Sequence, residues 1–235
     1  MLMCAIETSG RTCSMALLQG QEVLAYDSLM TPARHSMVLM PLIESLFQQS
    51  GVCPGDIDVY AVGSGPGSFT GLRIGIGTVK GLAYPNGTSC AGVSTLESLV
   101  CSAGKRNSVV VPVLDARRGR VYAGAYRWDP HPVPITDDCV MTLEQLWDRY
   151  RSQQVFFVGD AADICYTVWE QNGLSESVGH MVCEPDALGC AMAARRMVAE
   201  NILVPPELLV PRYLLETQAE RERRENQHNE NLNSQ

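Results

Sequence analysis

The chain has 235 residues, 46% of them hydrophobic and 19% charged, enough apolar material for one large domain or two small ones. Eighteen Lys and Arg against 26 Asp and Glu leave a net charge of −8, which excludes the basic footprint that holds nucleic acid or an anionic membrane unaided. No apolar stretch approaches the ~20 residues of a spanning helix, the start M-L-M-C-A-I lacks the parts of a signal peptide, and nine cysteines without a C-x-x-C read as reduced thiols of a cytoplasmic protein.

Taken in order, residues 2–6, 12–18 and 23–29 read as strands, with a tight turn at Gln19-Gly20-Gln21. Residues 36–49 predict a helix, 57–63 a strand, 70–84 a helix, 89–93 a strand and 95–103 a helix. The polar run 104–108 marks a boundary. Beyond it, residues 109–114 and 121–128 read as a second strand pair, 143–150 as a helix, 155–158 as a strand and 187–200 as a helix. From residue 217 the chain is almost without apolar residues and predicts a solvated, disordered tail. The expected domains are an N-terminal lobe (1–104) carrying the partner-binding helices, a C-terminal lobe (105–216) and the tail (217–235). Two mixed α/β lobes that each begin with a strand meander predict the two-lobed actin/sugar-kinase/Hsp70-like, ribonuclease H-like fold.

Two helices stand out. Residues 70–84 carry glycines at 71, 75, 77 and 81, each costing a helix up to about 1 kcal/mol relative to Ala. Gly71, Gly75 and Thr78 share one face, with Ile74 and Leu82 beside it. A bare face suits either close packing on an internal sheet or contact with a helix of another chain. Residues 36–49 are apolar almost all round in their first half, through Met37, Met40, Ile43 and Phe47, which implies burial on two sides. Pro41 predicts a kink after the first turn.

Catalytic signatures are sparse. Gly65-Pro66-Gly67-Ser68-Phe69-Thr70-Gly71 has neither the G-K-[ST] of a phosphate loop nor G-x-G-x-x-G spacing. Ser94 in G-V-S-T-L lacks the last glycine of a nucleophile elbow. None of the four histidines pairs at metal-ligand spacing, and His35 reads as a capping or solvated residue. The first hairpin carries E-T-S-G-R-T where kinases and ATPases of the superfamily carry D-x-G-x-T. There Glu7 replaces the acid and Ser9 the first glycine. Asp115-Ala116-Arg117 occupies the matching turn of the second lobe. Thr8, Ser9, Asp115 and Arg117 are therefore the candidates for a vestigial nucleotide site, with no catalytic residue and no metal ligand expected. A small ATPase or kinase using the interlobe cleft is the alternative, and a glycoprotease-like peptidase a remote one.

I-E-T-S at 6–9, R-H-S at 34–36, G-S-G-P-G-S-F-T-G-L-R-I-G at 63–75, G-V-S-T-L-E at 92–97, D-A-R at 115–117 and P-R-Y-L at 211–214 resemble the TsaB (YeaZ) family. The resemblance implies a non-catalytic scaffold subunit of the complex that installs N6-threonylcarbamoyladenosine at position 37 of ANN-decoding tRNAs. It implies a TsaD-type transferase as heterodimer partner, bound through the first two helices, and a TsaE-type ATPase as a further partner. It also implies a homodimer when the chain is alone, no cofactor of its own (ATP only at a shared interface), and tRNA contact only through the complex. In register with TsaD-type chains, Thr95 and Leu99 stand where a histidine metal pair is expected, and neither supplies an imidazole.

Overall fold

The computed structural model describes residues 1–31 and 34–215; the expected tail from residue 217 lies outside the described residues. The first half forms β1 (Leu2–Glu7), β2 (Thr12–Gln19), β3 (Glu22–Met30), α1 (His35–Ser50), β4 (Val59–Gly65), α2 (Phe69–Ala83), β5 (Ser89–Ser94) and α3 (Thr95–Ala103). The second forms β6 (Val109–Asp115), β7 (Arg120–Trp128), β8 (Pro132–Thr142), α4 (Leu143–Tyr150), β9 (Val155–Val158), α5 (Ala162–Gln171), β10 (Val178–Met181) and α6 (Ala187–Ala199).

The first sheet runs β3-β2-β1-β4-β5 and the second β8-β7-β6-β9-β10, so the two lobes share one strand order. In each, the first three strands pair antiparallel and the last two join in parallel. This duplicated order is the ribonuclease H-like arrangement anticipated from the element pattern.

Alternation along the strands of the first sheet sends two side-chain sets to opposite faces. Cys4, Ile6, Met15 and Leu17 pack under α1 and α2. Met3, Ala5, Ala16, Ala61 and Ala91 face Ala187, Ala191 and Ala194 of α6. Small residues on both sides let that helix lie close to the sheet. Leu96, Leu99 and Val100 of α3 cover the inner face of the second sheet through Val110, Leu114 and Val158. Its outer face is closed by α4 and α5 around Trp169.

Here the packing departs from the expected boundaries. The expected C-terminal lobe (105–216) includes the helix predicted at 187–200, yet α6 packs on the first sheet, while α3 of the expected N-terminal lobe packs on the second. Glu97 of α3 and Arg196 of α6 clasp side by side, with Nε–Oε1 2.8 Å and Nη2–Oε2 2.9 Å. The chain then returns along the first lobe: Val204 bridges Cys90, and Leu209 is buried in the core beneath α2.

Three elements were not predicted. β8 opens with prolines at 132 and 134 and carries Asp137-Asp138, all poor strand signals. α5 mixes β-branched and aromatic residues, and β10 has only four residues. α1 continues through Pro41 as one helix. His35 is buried, its Nε2 3.3 Å from the Thr12 carbonyl, so the expected capping or solvated role is replaced by a core contact.

Candidate functional site

The turn after β1 meets α2, α3 and the segment leading into α6. Glu7, Thr8 and Ser9 are all buried. The Thr8 and Ser9 backbone N–H groups both donate to Glu7 Oε1, at 2.8 and 2.7 Å. The Thr8 hydroxyl donates to the Gly71 carbonyl at 2.8 Å, and Thr95 Oγ1 donates to Ser9 Oγ at 3.2 Å. Ser68 N–H donates to the Ser9 carbonyl at 2.7 Å, where a Cβ on Gly67 would stand only 2.6 Å from that oxygen. Gly67 of the G-P-G turn thus allows α2 to start against the first hairpin, while Gly65 leaves room for the Arg212 carbonyl. Arg11 N–H donates at 2.9 Å to Oε2 of Glu184, which lies in the β10–α6 connection.

Burial pushes the Glu7 carboxyl up to about 6, against the opposing pull of the bonds from Ser9 and Thr8. Its Oε2 has no hydrogen-bond partner.

The matching turn of the second lobe is filled in the same way. Asp115 N–H donates to Asp160 Oδ1 at 2.9 Å, and Arg117 N–H donates to Asp115 Oδ1 at 2.8 Å. Arg117 and Arg118 both take positive φ, 65° and 56°, to make this turn. Burial raises the Asp160 carboxyl above its ordinary value, and the nearby charges of Glu184 and Asp115 add to that. The structure therefore brings Thr8 and Ser9 into one turn and Asp115 and Arg117 into the other, with carboxylates on the N–H groups of both. Sequence reasoning named the turns but missed Glu184 and Asp160. The C-E-P-D run at 183–186 signals a helix start, and nothing in it tells where Glu184 reaches.

A second junction pins the lobes. Asp138 of β8 accepts from Ser94 Oγ at 2.7 Å and from Tyr126 OH at 2.8 Å, with Arg212 Nη1 3.5 Å away. Arg212 N–H also donates to the Ser64 carbonyl at 2.7 Å. Tyr213 packs on Phe69 of α2 and accepts from Arg73 Nε at 3.0 Å. The P-R-Y-L motif is thus a strap over the start of α2. Ser94 has a carboxylate partner and no histidine among the described contacts. No group of three or more His, Cys, Asp or Glu side chains among the described residues could hold a metal. Thr95 and Leu99 are buried in the packing between lobes.

The expected partner-binding residues divide. Met37 (71% exposed) and Met40 (45%) lie uncovered on α1, while Ile74, Thr78 and Leu82 are half-buried on α2. Ile43 (2%) and Phe47 (8%) belong to the core beneath α1 and are not available to a partner. Gly71 and Gly75 are also internal: a Cβ on either would collide with Thr8, and one on Gly75 would stand 3.3 Å from Val62 Cγ2. Their bare face serves the chain's own first hairpin, so the sheet-packing alternative holds for them. The outward bare positions are Gly77 and Gly81, around which a Cβ meets nothing within 4 Å. Exposed Tyr84 (65%) follows at the end of α2, and Met30 is exposed at the end of β3. Gly75 and Gly77 are only two positions apart, and only the sheet decides which pair faces in.

Duplicated sheets of one strand order, each opening on an antiparallel hairpin, define a protein of the actin/sugar-kinase/Hsp70 class whose phosphate-type turns carry internal carboxylates. A protein-family model described as "TsaD: tRNA N6-adenosine threonylcarbamoyltransferase" matches residues 30–223. The tRNA threonylcarbamoyladenosine biosynthesis protein TsaB of Escherichia coli is 32% identical over 216 residues, covering 89% of this chain and 93% of that protein. TsaB of Bacillus subtilis is 37% identical over 128 residues, 54% of this chain and 56% of that protein. The solved structure of YeaZ from Pseudomonas aeruginosa superposes with a TM-score of 0.77 at 28% identity, covering 91% of this chain and 99% of that one. The chain belongs to the TsaB family, within the wider TsaD-type group.

Proposed function

We propose that this chain is the accessory, non-catalytic subunit of the machinery that makes N6-threonylcarbamoyladenosine at position 37 of ANN-decoding tRNAs in the cytoplasm. It acts by binding a TsaD-type transferase. Near end-to-end similarity to the TsaB of Escherichia coli supports the pathway. The observation that carries the partner surface is the uncovered outer face of α1 and α2, formed by Met37, Met40, Gly77, Gly81 and Tyr84 with half-buried Ile74, Thr78 and Leu82. Exposed methionines adapt to a partner's contours. Glycines at i and i+4 let a second helix approach to backbone distance, the geometry of small-residue helix pairs. A paralogous chain offers a similar helix pair, and in its absence a second copy of this chain takes the same face. A TsaE-type ATPase joins the resulting pair.

The carboxylates on the N–H groups of both turns support a role without nucleotide turnover by the isolated chain. A net charge of −8 supports tRNA contact through the complex alone.

Light scattering on a size-exclusion column tests the reading, with this chain alone and mixed with its TsaD-type paralogue. The expected result is a 1:1 complex that Gly77→Leu and Met37→Asp abolish while the free chain keeps its folded circular dichroism spectrum. A chain that ignores the paralogue refutes the proposal. A complex indifferent to both substitutions refutes the surface.

A further inference from the structure

We propose that Glu184 is an interlobe latch: its carboxylate sits on Arg11 of the first hairpin as a built-in anion, closing to outside anions a seat that opens when the latch is released.

The geometry of the seat carries the inference. Arg11 meets the carboxylate through one hydrogen bond, its backbone N–H donating to Oε2 at 2.9 Å, and through an ion pair, its Nε lying 3.9 Å from Oε1. The Glu184 side chain is largely buried at 16% exposure, whereas that of Arg11 is 65% exposed, so the acid rather than the base is the enclosed partner. An N–H to carboxylate bond is charge-assisted and stronger than one between neutral groups. Gly10 is the reason the carboxylate fits: a Cβ there would stand 2.6 Å from Glu184 Oε2 and 3.0 Å from Pro185 Cδ.

The segment that delivers Glu184 is anchored on both sides: before it, the Met181 carbonyl accepts from Gly159 N–H of the second lobe at 3.1 Å, and after it the start of α6 is held on the first. Asp186 caps α6 by accepting from Gly189 N–H at 2.7 Å, and its carbonyl receives the Ser98 hydroxyl at 3.4 Å. Ala187 N–H donates to Ser14 Oγ at 2.9 Å. The carboxylate is thus held at the mouth of the hairpin by the element that crosses from the second sheet to the first. Thr8 and Ser9 N–H are already taken by Glu7, and Asp115 N–H by Asp160. Among the carboxylates on these turn N–H groups, Glu184 is the one that crosses between lobes, which makes it the point where lobe separation and anion access are coupled.

The test compares full-length wild type, Glu184→Ala, Glu184→Gln and Gly10→Ala by amide hydrogen exchange and by calorimetry with sodium pyrophosphate and magnesium chloride. In Glu184→Ala the Arg11 amide exchanges at least about tenfold faster, the equivalent of one charge-assisted hydrogen bond, and saturable pyrophosphate heat appears that wild type lacks. Gly10→Ala also speeds Arg11 exchange, because its methyl displaces the carboxylate, but it gains no pyrophosphate binding, because the methyl occupies the seat. Glu184→Gln, which keeps the shape and a neutral acceptor, shows an intermediate rate and serves if the alanine variant does not fold. Unchanged Arg11 exchange on releasing Glu184 overturns the latch. Faster exchange in Glu184→Ala without pyrophosphate heat, or pyrophosphate heat already present in wild type, overturns the closed seat.

Discussion

Alanine at Gly75 and alanine at Gly77 are expected to shift stability in opposite directions, although the two residues are neighbours on one helix of similar local sequence. A methyl at Gly75 collides with the Thr8 hydroxyl and stands 3.3 Å from Val62. Overpacking of this kind costs about 1–3 kcal/mol. Turning Thr8 away also removes its 2.8 Å bond to the Gly71 carbonyl, worth about 1 kcal/mol. Helix propensity returns roughly 1 kcal/mol. The net is a loss of about 1–3 kcal/mol by these terms. At Gly77 the methyl meets nothing within 4 Å, so only the propensity gain of about 0.5–1 kcal/mol remains. Urea titration followed by circular dichroism should therefore move the midpoint down for Gly75→Ala and up for Gly77→Ala, with an unchanged slope. Two shifts of the same sign would refute the assignment of the inward and outward faces of α2, and with it the proposed partner surface.

Other expectations rest on single groups. The Glu7 carboxyl ionises near 4.5 in the unfolded chain and near 6 in the fold, so the folded state holds more protons between those values and loses stability as pH rises through them. Glu7→Gln lacks this loss, and its stability relative to wild type should grow by roughly 2 kcal/mol between pH 4.5 and 7; a constant difference in denaturation midpoints would count against the buried, ionised state. Of nine free cysteines, exposed Cys53 should react first with a thiol reagent, half-buried Cys139 and Cys183 more slowly, and the six buried ones only on unfolding. Burial also holds thiols such as Cys13 and Cys90 up at about 11, where little thiolate exists at neutral pH. Fast labelling of several thiols in the native chain would contradict the packing. Glu97→Ala leaves Arg196 with only Glu200 and should cost about 1–3 kcal/mol in chemical denaturation, because a partly buried guanidinium loses its bidentate partner. A cost near zero would mean that α3 and α6 are held by their apolar contacts alone.

Much of this protein was legible in the order of its residues. Short continuous apolar runs mark the core strands, buried on both faces, the E-T-S-G-R-T and D-A-R turns fall where the duplicated fold needs them, and the G-P-G block begins a glycine-rich helix. Local pattern suffices there because strand alternation, turn chemistry and helix starts depend on near neighbours. The weakly patterned β8, α5 and β10 were missed because partners in the second sheet stabilise them rather than their own propensities. The exchange of α3 and α6 between lobes was equally invisible, since it depends on alanines of one sheet meeting alanines of a helix some hundred residues away. The same holds at the sites. Sequence spacing groups Gly71 with Gly75 and Gly77 with Gly81, but the nearness of Thr8 turns the first pair inward and leaves the second for a partner. It supplies an acid at position 184, and only the crossing between sheets sets that carboxylate on Arg11. A pattern of residues determined which faces exist; long-range packing decided what each face touches, because contact is a property of separation in space and not along the chain.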